Sequence, residues 1–79
     1  MPVDHQSPIP VYRQVADVIA ARIASGQLRP GRPIPSEKQL IDEFGIARDT
    51  ARRAVWWLRE QGLVRTYPQK GSFVLPIDT

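Results

Sequence analysis

Three glycines divide this chain into short segments and limit the length of any helix that it can form. Gly26, Gly45 and Gly62 each follow a stretch in which apolar residues recur at helical spacing, and glycine is common just past the end of a helix. The first stretch opens at Pro10, which suits the first turn of a helix because proline has no N–H to leave unpaired. Its apolar stripe consists of Val11, Val15, Val18, Ile19 and Ile23. We therefore predict a first helix between Pro10 and Gly26.

The second stretch predicts a short helix with a defined start. Ser36 and Gln39 have the spacing of a capping box, in which the serine hydroxyl accepts from the N–H three residues on and the glutamine side chain reaches back. Glu37 in the first turn favours the helix dipole. The apolar face consists of Leu40, Ile41 and Phe44. We expect this helix to end at Gly45.

The third stretch begins so soon after the second that the two together predict a helix-turn-helix. Only Ile46 and Ala47 separate Gly45 from a helix expected at residues 48–61, and a tight glycine-containing turn between two helices is typical of this motif. The apolar stripe of the third helix consists of Ala51, Ala54, Val55 and Leu58. Ala47 has no side-chain oxygen to cap this helix, a loss of about 1 kcal/mol relative to serine.

Side chains alternate between two faces along residues 63–67 and 72–75, which predicts a hairpin. Residues 68–71, Pro-Gln-Lys-Gly, supply its turn. A second turn is expected at residues 30–31, Pro-Gly, and Ile34 in a very short strand. The order helix, helix, helix, hairpin predicts a mainly α fold with a small β-hairpin, a winged helix-turn-helix of three helices and a two-stranded wing.

A chain of 79 residues has room for one domain. We place the domain at residues 10–75, between an N-terminal tail at residues 1–9 and a C-terminal tail at residues 76–79.

The positive charge of the chain is concentrated in one segment. The net charge is +3. Residues 1–44 contain five basic and five acidic residues, residues 45–71 contain six basic and two acidic residues, and Asp78 adds one negative charge. This concentration indicates a polyanionic partner such as nucleic acid or an anionic surface, or else a solvated helix face that is rich in arginine.

The sequence offers little material for catalysis. It contains no cysteine, which excludes disulfides and thiolate metal sites, and its one histidine, His5, lies in a proline-flanked tail without a partner nearby. Asp42 and Glu43 are adjacent and so point to different sides of their helix. Neither metal-ligand spacing nor a glycine-rich phosphate loop occurs. We therefore predict that the chain is not an enzyme and has no cofactor or metal.

Residues 1–10 contain no apolar core of signal-peptide length, and the sequence contains no apolar run of about 18 residues. We expect a cytoplasmic protein without a membrane partner.

The third helix carries side chains suited to reading duplex DNA. The major groove admits one α-helix, whose N-terminal residues reach the base edges. The residues expected to face DNA on this helix are Arg48, Asp49, Thr50, Arg52 and Arg53. Lys38, near the start of helix two, and Lys70, at the hairpin tip, are spaced to bind phosphates on either side. Each charge alone fits an ordinary surface residue, but their joint placement favours DNA.

The central part of the chain resembles the DNA-binding module of GntR-type bacterial transcription regulators. The segment IPSEKQLIDEFGIARDTARRAV matches the family signature of P-S-E, a basic residue, x-L, then F-G, then R-x-T-x-R. PVYRQVADVIAARIASGQLRPG is similar to the first helix and Pro-Gly turn of that family, and GLVRTYPQKGSFV to its wing. The match extends from about Pro10 to Val74.

The resemblance implies roles for individual residues. Lys38 stands where the family has a phosphate-binding arginine, and Arg48 and Arg52 match its two recognition arginines. Thr50 matches a threonine that contacts the DNA backbone, and Gly71 is the wing glycine. Three positions depart from the family pattern: Ala47 replaces a serine, Asp49 a threonine, and Gln69 the glycine that lets the wing tip enter the minor groove.

The predicted function is sequence-specific transcription regulation, as a repressor on duplex DNA. Arginine pairs best with guanine and aspartate with cytosine, and the chain has no asparagine to read adenine. The glutamines of this region are Gln61, at the far end of helix three, and Gln69, in the wing. We therefore expect a palindromic operator bound by a homodimer, G·C-rich where helix three docks and with A·T preference confined to positions under the wing. Family members typically continue into a C-terminal domain that binds a small effector and dimerises, and we expect none within this chain. The alternative is a winged helix that binds an acidic protein partner.

Two adjacent tryptophans lie on different sides of the third helix. Trp57, three residues after Ala54, is expected at the flank of the core. Trp56, four residues after Arg52, lies on the polar side. Its ring either packs under an arginine stem or contacts a second protomer.

Overall fold

Three helices precede a two-stranded antiparallel sheet in the computed structural model, which describes residues 3–76. The elements are α1 (Val11–Ala24), α2 (Glu37–Phe44), α3 (Arg48–Glu60), β1 (Val64–Tyr67) and β2 (Gly71–Val74). This order confirms the predicted fold class, a mainly α winged helix-turn-helix. Residues 1, 2 and 77–79 of the two predicted tails lie outside the described residues.

The described part of the N-terminal tail is hydrogen-bonded to α1. The Gln14 side chain accepts from the Asp4 N–H at 2.8 Å, and its amide donates to the carbonyl oxygens of Asp4 (2.7 Å) and Ile9 (2.9 Å). Val3 packs against the core. The domain boundary at residue 10 stays a prediction.

Pro10 is the N-cap of α1 and not part of its first turn, one residue outside its predicted place. Its carbonyl accepts from the N–H groups of Arg13 at 3.0 Å and Gln14 at 3.2 Å. Proline remains favourable at this boundary, because its ring fixes the backbone angle φ and no helical N–H is lost.

The turn between α2 and α3 forms as predicted. Ser36 Oγ accepts from the Gln39 N–H at 3.1 Å, and Gln39 Oε1 accepts from the Ser36 N–H at 2.8 Å, which completes the capping box. Gly45 ends α2 with φ +65°, in the left-handed region that glycine adopts without steric cost. α3 begins three residues later, at Arg48.

The helices and the wing share one hydrophobic core. Its largest fully buried side chains are Ile19, Leu40, Leu58, Val15 and Val74. All four residues of the predicted stripe of α3 are buried, but Ile41 of α2 and Val11 and Val18 of α1 are only partly buried. Ala16, absent from the predicted stripe, is fully buried because it lies three residues before Ile19 and on the same helix face.

A connection from the α1–α2 loop holds the wing against the helices. β1 and β2 pair from Val64↔Val74 to Tyr67↔Gly71. The short strand predicted at Ile34 is an isolated bridge one residue earlier, Pro33↔Phe73, and the Ile34 N–H donates to the Ser72 carbonyl at 2.9 Å.

Within residues 3–76, each helix is too short or too polar to cross a membrane.

Candidate nucleic-acid interface

The first two turns of α3 present the predicted polar residues to solvent. The exposed residues are Arg48, Asp49, Arg52 and Arg53, and Thr50 is half-buried beside them. The opposite face of the helix is buried, so the amphipathic pattern fixes which side points outward. The structure thus brings all five predicted residues of this helix to one surface.

Two of the arginines are loosely paired with carboxylates. Arg48 Nη1 lies 3.7 Å from Glu37 Oε1 of α2, and Arg52 Nη1 lies 3.8 Å from Asp49 Oδ1 one turn earlier. The arginine side chains are 64% and 63% exposed, and such surface pairs contribute about 0–1 kcal/mol. The carboxylates therefore orient the guanidinium groups but bind them weakly. Either guanidinium group can exchange its carboxylate for another acceptor.

The N-terminus of α3 has no side-chain cap. Ala47 occupies the N-cap and makes no side-chain hydrogen bond to the N–H groups of the first turn. These N–H groups carry the partial positive charge of the helix end. They reinforce the arginines in attracting an anion to this end of the helix.

A cleft of about 330 Å³ separates α3 from the wing and the start of α2. Among the residues that line it, Lys38, Arg52 and Arg59 are basic and Glu37 is acidic, so the cleft carries a net positive charge. Gly71, the predicted wing residue, lines the same cleft. The structure thus brings Lys38, Arg52 and Gly71 around one cationic cleft.

Arg59 links the last turn of α3 to both strands of the wing. Its Nη1 donates to Thr66 Oγ1 at 3.2 Å, and Thr66 Oγ1 lies 2.7 Å from Ser72 Oγ. Arg59 is not among the predicted DNA-binding residues, although its position seven residues after Arg52 indicates the same helix face. Its hydrogen bond to the wing depends on tertiary structure, which no local pattern reveals.

Lys70 lies at the tip of the wing, away from the cationic cleft. It lines a separate groove with Tyr67 and Phe73, on the other side of the hairpin from the cleft-lining Ser72. Next to it, Gln69 is the one non-glycine residue with positive φ (+65°) within residues 3–76. The tip therefore keeps the backbone conformation that glycine would adopt most easily at this position.

The basic face also extends toward α1. The Arg53 guanidinium carbon lies 4.8 Å from the centre of the Tyr12 ring. Tyr12, Asp49, Thr50 and Arg53 line one shallow depression, together with Val11. No pattern in the sequence indicated Tyr12, because its place in this depression depends on how α1 packs against α3.

The two tryptophans occupy different environments, as predicted. Trp57 is partly buried against the core, and the Arg13 guanidinium carbon lies 4.3 Å from its ring centre. Trp56 is exposed, with 45% of its surface accessible.

The arrangement supports binding of a polyanion more readily than catalysis. Within residues 3–76, no group of three or more histidine, aspartate or glutamate side chains is placed to hold a metal ion. His5 is exposed in the N-terminal segment. The concentrated chemistry is cationic and hydrogen-bond donating, which suits phosphates and the acceptor edges of bases.

A tight helix-turn-helix, a paired wing and a cationic outer face on the third helix define a winged helix-turn-helix domain. The sequence pattern described as "Bacterial regulatory proteins, gntR family" matches residues 11–74, and the chain belongs to this family. The family assignment confirms the resemblance and agrees with the prediction that the chain is not an enzyme.

Two curated relatives are repressors. The chain is 39% identical over 74 residues to the HTH-type transcriptional repressor NagR of Bacillus subtilis, covering 94% of this chain and 30% of NagR. It is 43% identical over 65 residues to the mannosyl-D-glycerate transport/metabolism system repressor MngR of Escherichia coli, covering 82% of this chain and 27% of MngR. The chain thus spans less than a third of the length of either relative.

Solved structures show the same fold. AraR(DBD) in complex with operator ORX1 is similar with a TM-score of 0.86 and 34% identity, and 94% of each chain is covered. YtrA from Sulfolobus acidocaldarius, a GntR-family transcription factor, is similar with a TM-score of 0.82 and 32% identity, covering 100% of this chain and 66% of YtrA.

Proposed function

We propose that this chain binds duplex DNA sequence-specifically and acts as a transcription regulator, specifically a repressor. The observation that carries the proposal is the group of basic side chains on the exposed side of α3 and around the cleft beside the wing, which are Lys38, Arg48, Arg52, Arg53 and Arg59. Support comes from the repressors NagR and MngR and from the operator complex of AraR(DBD). Because bacterial DNA lies in the cytoplasm, the proposal locates the protein there.

In this proposal α3 enters the major groove and the wing lies against the adjacent minor groove or the backbone. An α-helix with its side chains is about 10–12 Å across, which matches a groove about 12 Å wide. Arg48, Asp49 and Arg52 then face the base edges because they lie on the exposed first two turns.

The remaining predicted residues contact the DNA backbone. Thr50 and Arg53, beside α1, bind phosphates on one side of the groove. Lys38 and Gly71, in the cationic cleft, bind the strand on the other side. Lys70 at the wing tip adds a further phosphate contact.

The proposed operator is a G·C-rich palindrome that two copies of the chain occupy together. Arginine bonds bidentately to guanine O6 and N7, and aspartate accepts from cytosine N4. The loose Arg48–Glu37 and Arg52–Asp49 pairs are compatible with these base contacts, because each arginine side chain is more than half exposed. Two half-sites related by a dyad follow from the pairing of identical protomers.

The proposal is tested by selecting bound sites from a random duplex library and measuring the affinity of the selected duplex by fluorescence anisotropy. We expect a G·C-rich motif with inverted half-sites and binding at least about 10³-fold tighter than to a scrambled duplex. Polyglutamate serves as the control for an acidic protein partner. Failure to enrich a motif, with polyglutamate bound as tightly as duplex, would refute the proposal in favour of a protein-interaction module.

Asp49→Thr sharpens the assignment of the base contacts. Removing the carboxylate should relax discrimination at one cytosine, and it should raise nonspecific affinity because a negative charge near the phosphates is lost. Repeating the selection with this variant measures both effects. An unchanged motif would remove Asp49 from the base-reading set.

A further inference from the structure

Trp56 is a large apolar side chain at the centre of the charged face of α3. It is 45% exposed, and it follows Asp49 by seven residues, about two helical turns. The buried stripe of Ala51, Ala54, Val55 and Leu58 lies on the opposite side of the helix. The ring therefore projects along the same direction as Asp49, away from the protein.

No arginine guanidinium of the described residues is stacked over this ring. The arginine–ring contacts within residues 3–76 are Arg13 on Trp57, Arg53 on Tyr12 and Arg65 on Tyr67. Arg53, a neighbour of Trp56 on α3, is thus engaged with α1 instead. The Trp56 ring stays available to a partner from outside the chain.

The direction of helical side chains brings the ring toward the DNA-facing end of α3. Side chains on a helix lean toward its N-terminus, so a residue covers the surface over the preceding turn. Trp56 accordingly lines a shallow depression with Asp49, Arg52 and Arg53 of the preceding turns, and with Arg59. The ring therefore lies next to residues that the proposed function places in the major groove.

The charges around Trp56 favour DNA over a second copy of the chain. Three arginines and one aspartate line the depression. Two copies that met through this face would bring their arginine clusters together, and like charges that are juxtaposed across an interface cost several kcal/mol. A polyanion instead neutralises the same cluster.

We propose that Trp56 enters the major groove with α3 and packs against the methyl group of a thymine. The inference rests on the proposed DNA binding and adds an apolar contact to it. Trp56 lies about one helical turn beyond Arg52 on the same outer face of α3, and the thymine methyl is the apolar feature of the base edges in the major groove. The predicted G·C-rich half-site then contains one thymine, beyond the bases read by Arg48, Asp49 and Arg52.

The test uses a matched pair of single-tryptophan proteins. In Trp57→Phe, emission reports only Trp56, and in Trp56→Phe it reports only Trp57. On adding the selected duplex, Trp56 emission should change and its quenching by acrylamide should fall at least about twofold, since an exposed ring becomes covered. Trp57, already packed on the core and under Arg13, should show little change.

Replacing thymines of the selected duplex by uracil, one at a time, tests the contact itself. One replacement should weaken binding by the parent about fourfold, the effect of one apolar carbon group, and should have no effect on Trp56→Ala. That variant should bind the unmodified duplex on the order of tenfold more weakly. Circular dichroism verifies that each variant is folded.

The outcomes separate this inference from the proposed function. If the parent binds no duplex, the proposed function fails. If the duplex binds but Trp56 stays open to acrylamide, or no thymine is coupled to it, the thymine contact is refuted while DNA binding stands. If Trp56 becomes covered with rising protein concentration in the absence of DNA, a second copy is its partner and the inference is overturned.

Discussion

The two helices of the helix-turn-helix begin with the same backbone geometry but are secured differently. The N-cap residues Ser36 (φ −67°, ψ 166°) and Ala47 (φ −73°, ψ 158°) are both extended. Ser36 and Gln39 complete a capping box at the start of α2, whereas Ala47 makes no side-chain hydrogen bond. The two helix starts therefore differ in their capping side chains and not in their backbone conformation.

The core compensates for the missing cap of α3. α2 has eight residues and buries two of them, while α3 has thirteen and buries four. Short helices are marginal by themselves and depend on local caps or packing. Because packing secures α3, its first turn can do without a side-chain cap and can carry the charges that the proposed function assigns to DNA.

The largest loss of stability is expected from a substitution where α3 packs on the core. Leu58→Ala removes a fully buried side chain and should lower the free energy of unfolding by about 2–5 kcal/mol. Urea titration followed by circular dichroism measures this change. Glu60→Ala, at an exposed position of the same helix, is the control and should change stability by less than about 0.5 kcal/mol. A loss below about 1 kcal/mol for Leu58→Ala would show that packing does not secure α3.

The next largest effect concerns binding and not stability. Arg48→Ala and Arg52→Ala should each cost about 1–3 kcal/mol in specific DNA binding. Their loose ion pairs contribute little to the fold, so the unfolding free energy should hardly change. Anisotropy against selected and scrambled duplexes measures the loss.

Lys70→Ala is the matched control for these arginine variants, because a phosphate contact is independent of sequence. It should weaken binding to both duplexes equally and reduce the salt slope by about one unit. If both arginine variants bind the selected duplex as the parent does, the base-reading role of α3 is wrong.

Loss of the cap of α2 should have a smaller effect. Ser36→Ala removes the hydroxyl that accepts from the Gln39 N–H and should destabilise the protein by about 1 kcal/mol. Thermal unfolding detects this change, and Ser36→Thr is expected to recover most of it. A neutral result for Ser36→Ala would mean that α2 is secured by packing alone, as α3 is.

The smallest effect should come from adding the missing cap. Because Ala47 already has the backbone geometry of Ser36, Ala47→Ser should stabilise the protein by about 0.5–1 kcal/mol. The same thermal measurement applies, with Ala24→Ser, at the exposed end of α1, as a control for serine itself. Destabilisation by Ala47→Ser would show that the first turn of α3 is constrained in some other way.

Local patterns predicted the helices well because their determinants lie close together in the chain. Ser36 and Gln39 fix the start of α2, Gly45 fixes its end, and the spacing of apolar residues identifies the inner face of α3. Ala16 is completely buried although the predicted stripe of α1 does not include it.

The candidate site was predictable only as a set of residue types on α2, α3 and the wing. The pairing of Arg48 with Glu37, the contact of Arg53 with Tyr12 and the hydrogen bond from Arg59 to Thr66 each join different elements. Such contacts depend on how helices pack, which a one-dimensional pattern does not encode. The base-reading and phosphate-binding roles themselves stay predictions.

The bridge between Pro33 and Phe73 makes folding of the wing inseparable from folding of the helices. Besides this bridge, the Gly31 N–H donates to the Val74 carbonyl at 2.8 Å and the Val74 N–H to the Arg32 carbonyl at 2.9 Å. The hairpin thus completes its hydrogen bonding only when the segment between α1 and α2 is already in place. We therefore expect the wing to unfold in the same cooperative unit as the helices, and amide protons on Ile34 and Val74 to exchange with solvent only when the whole domain unfolds.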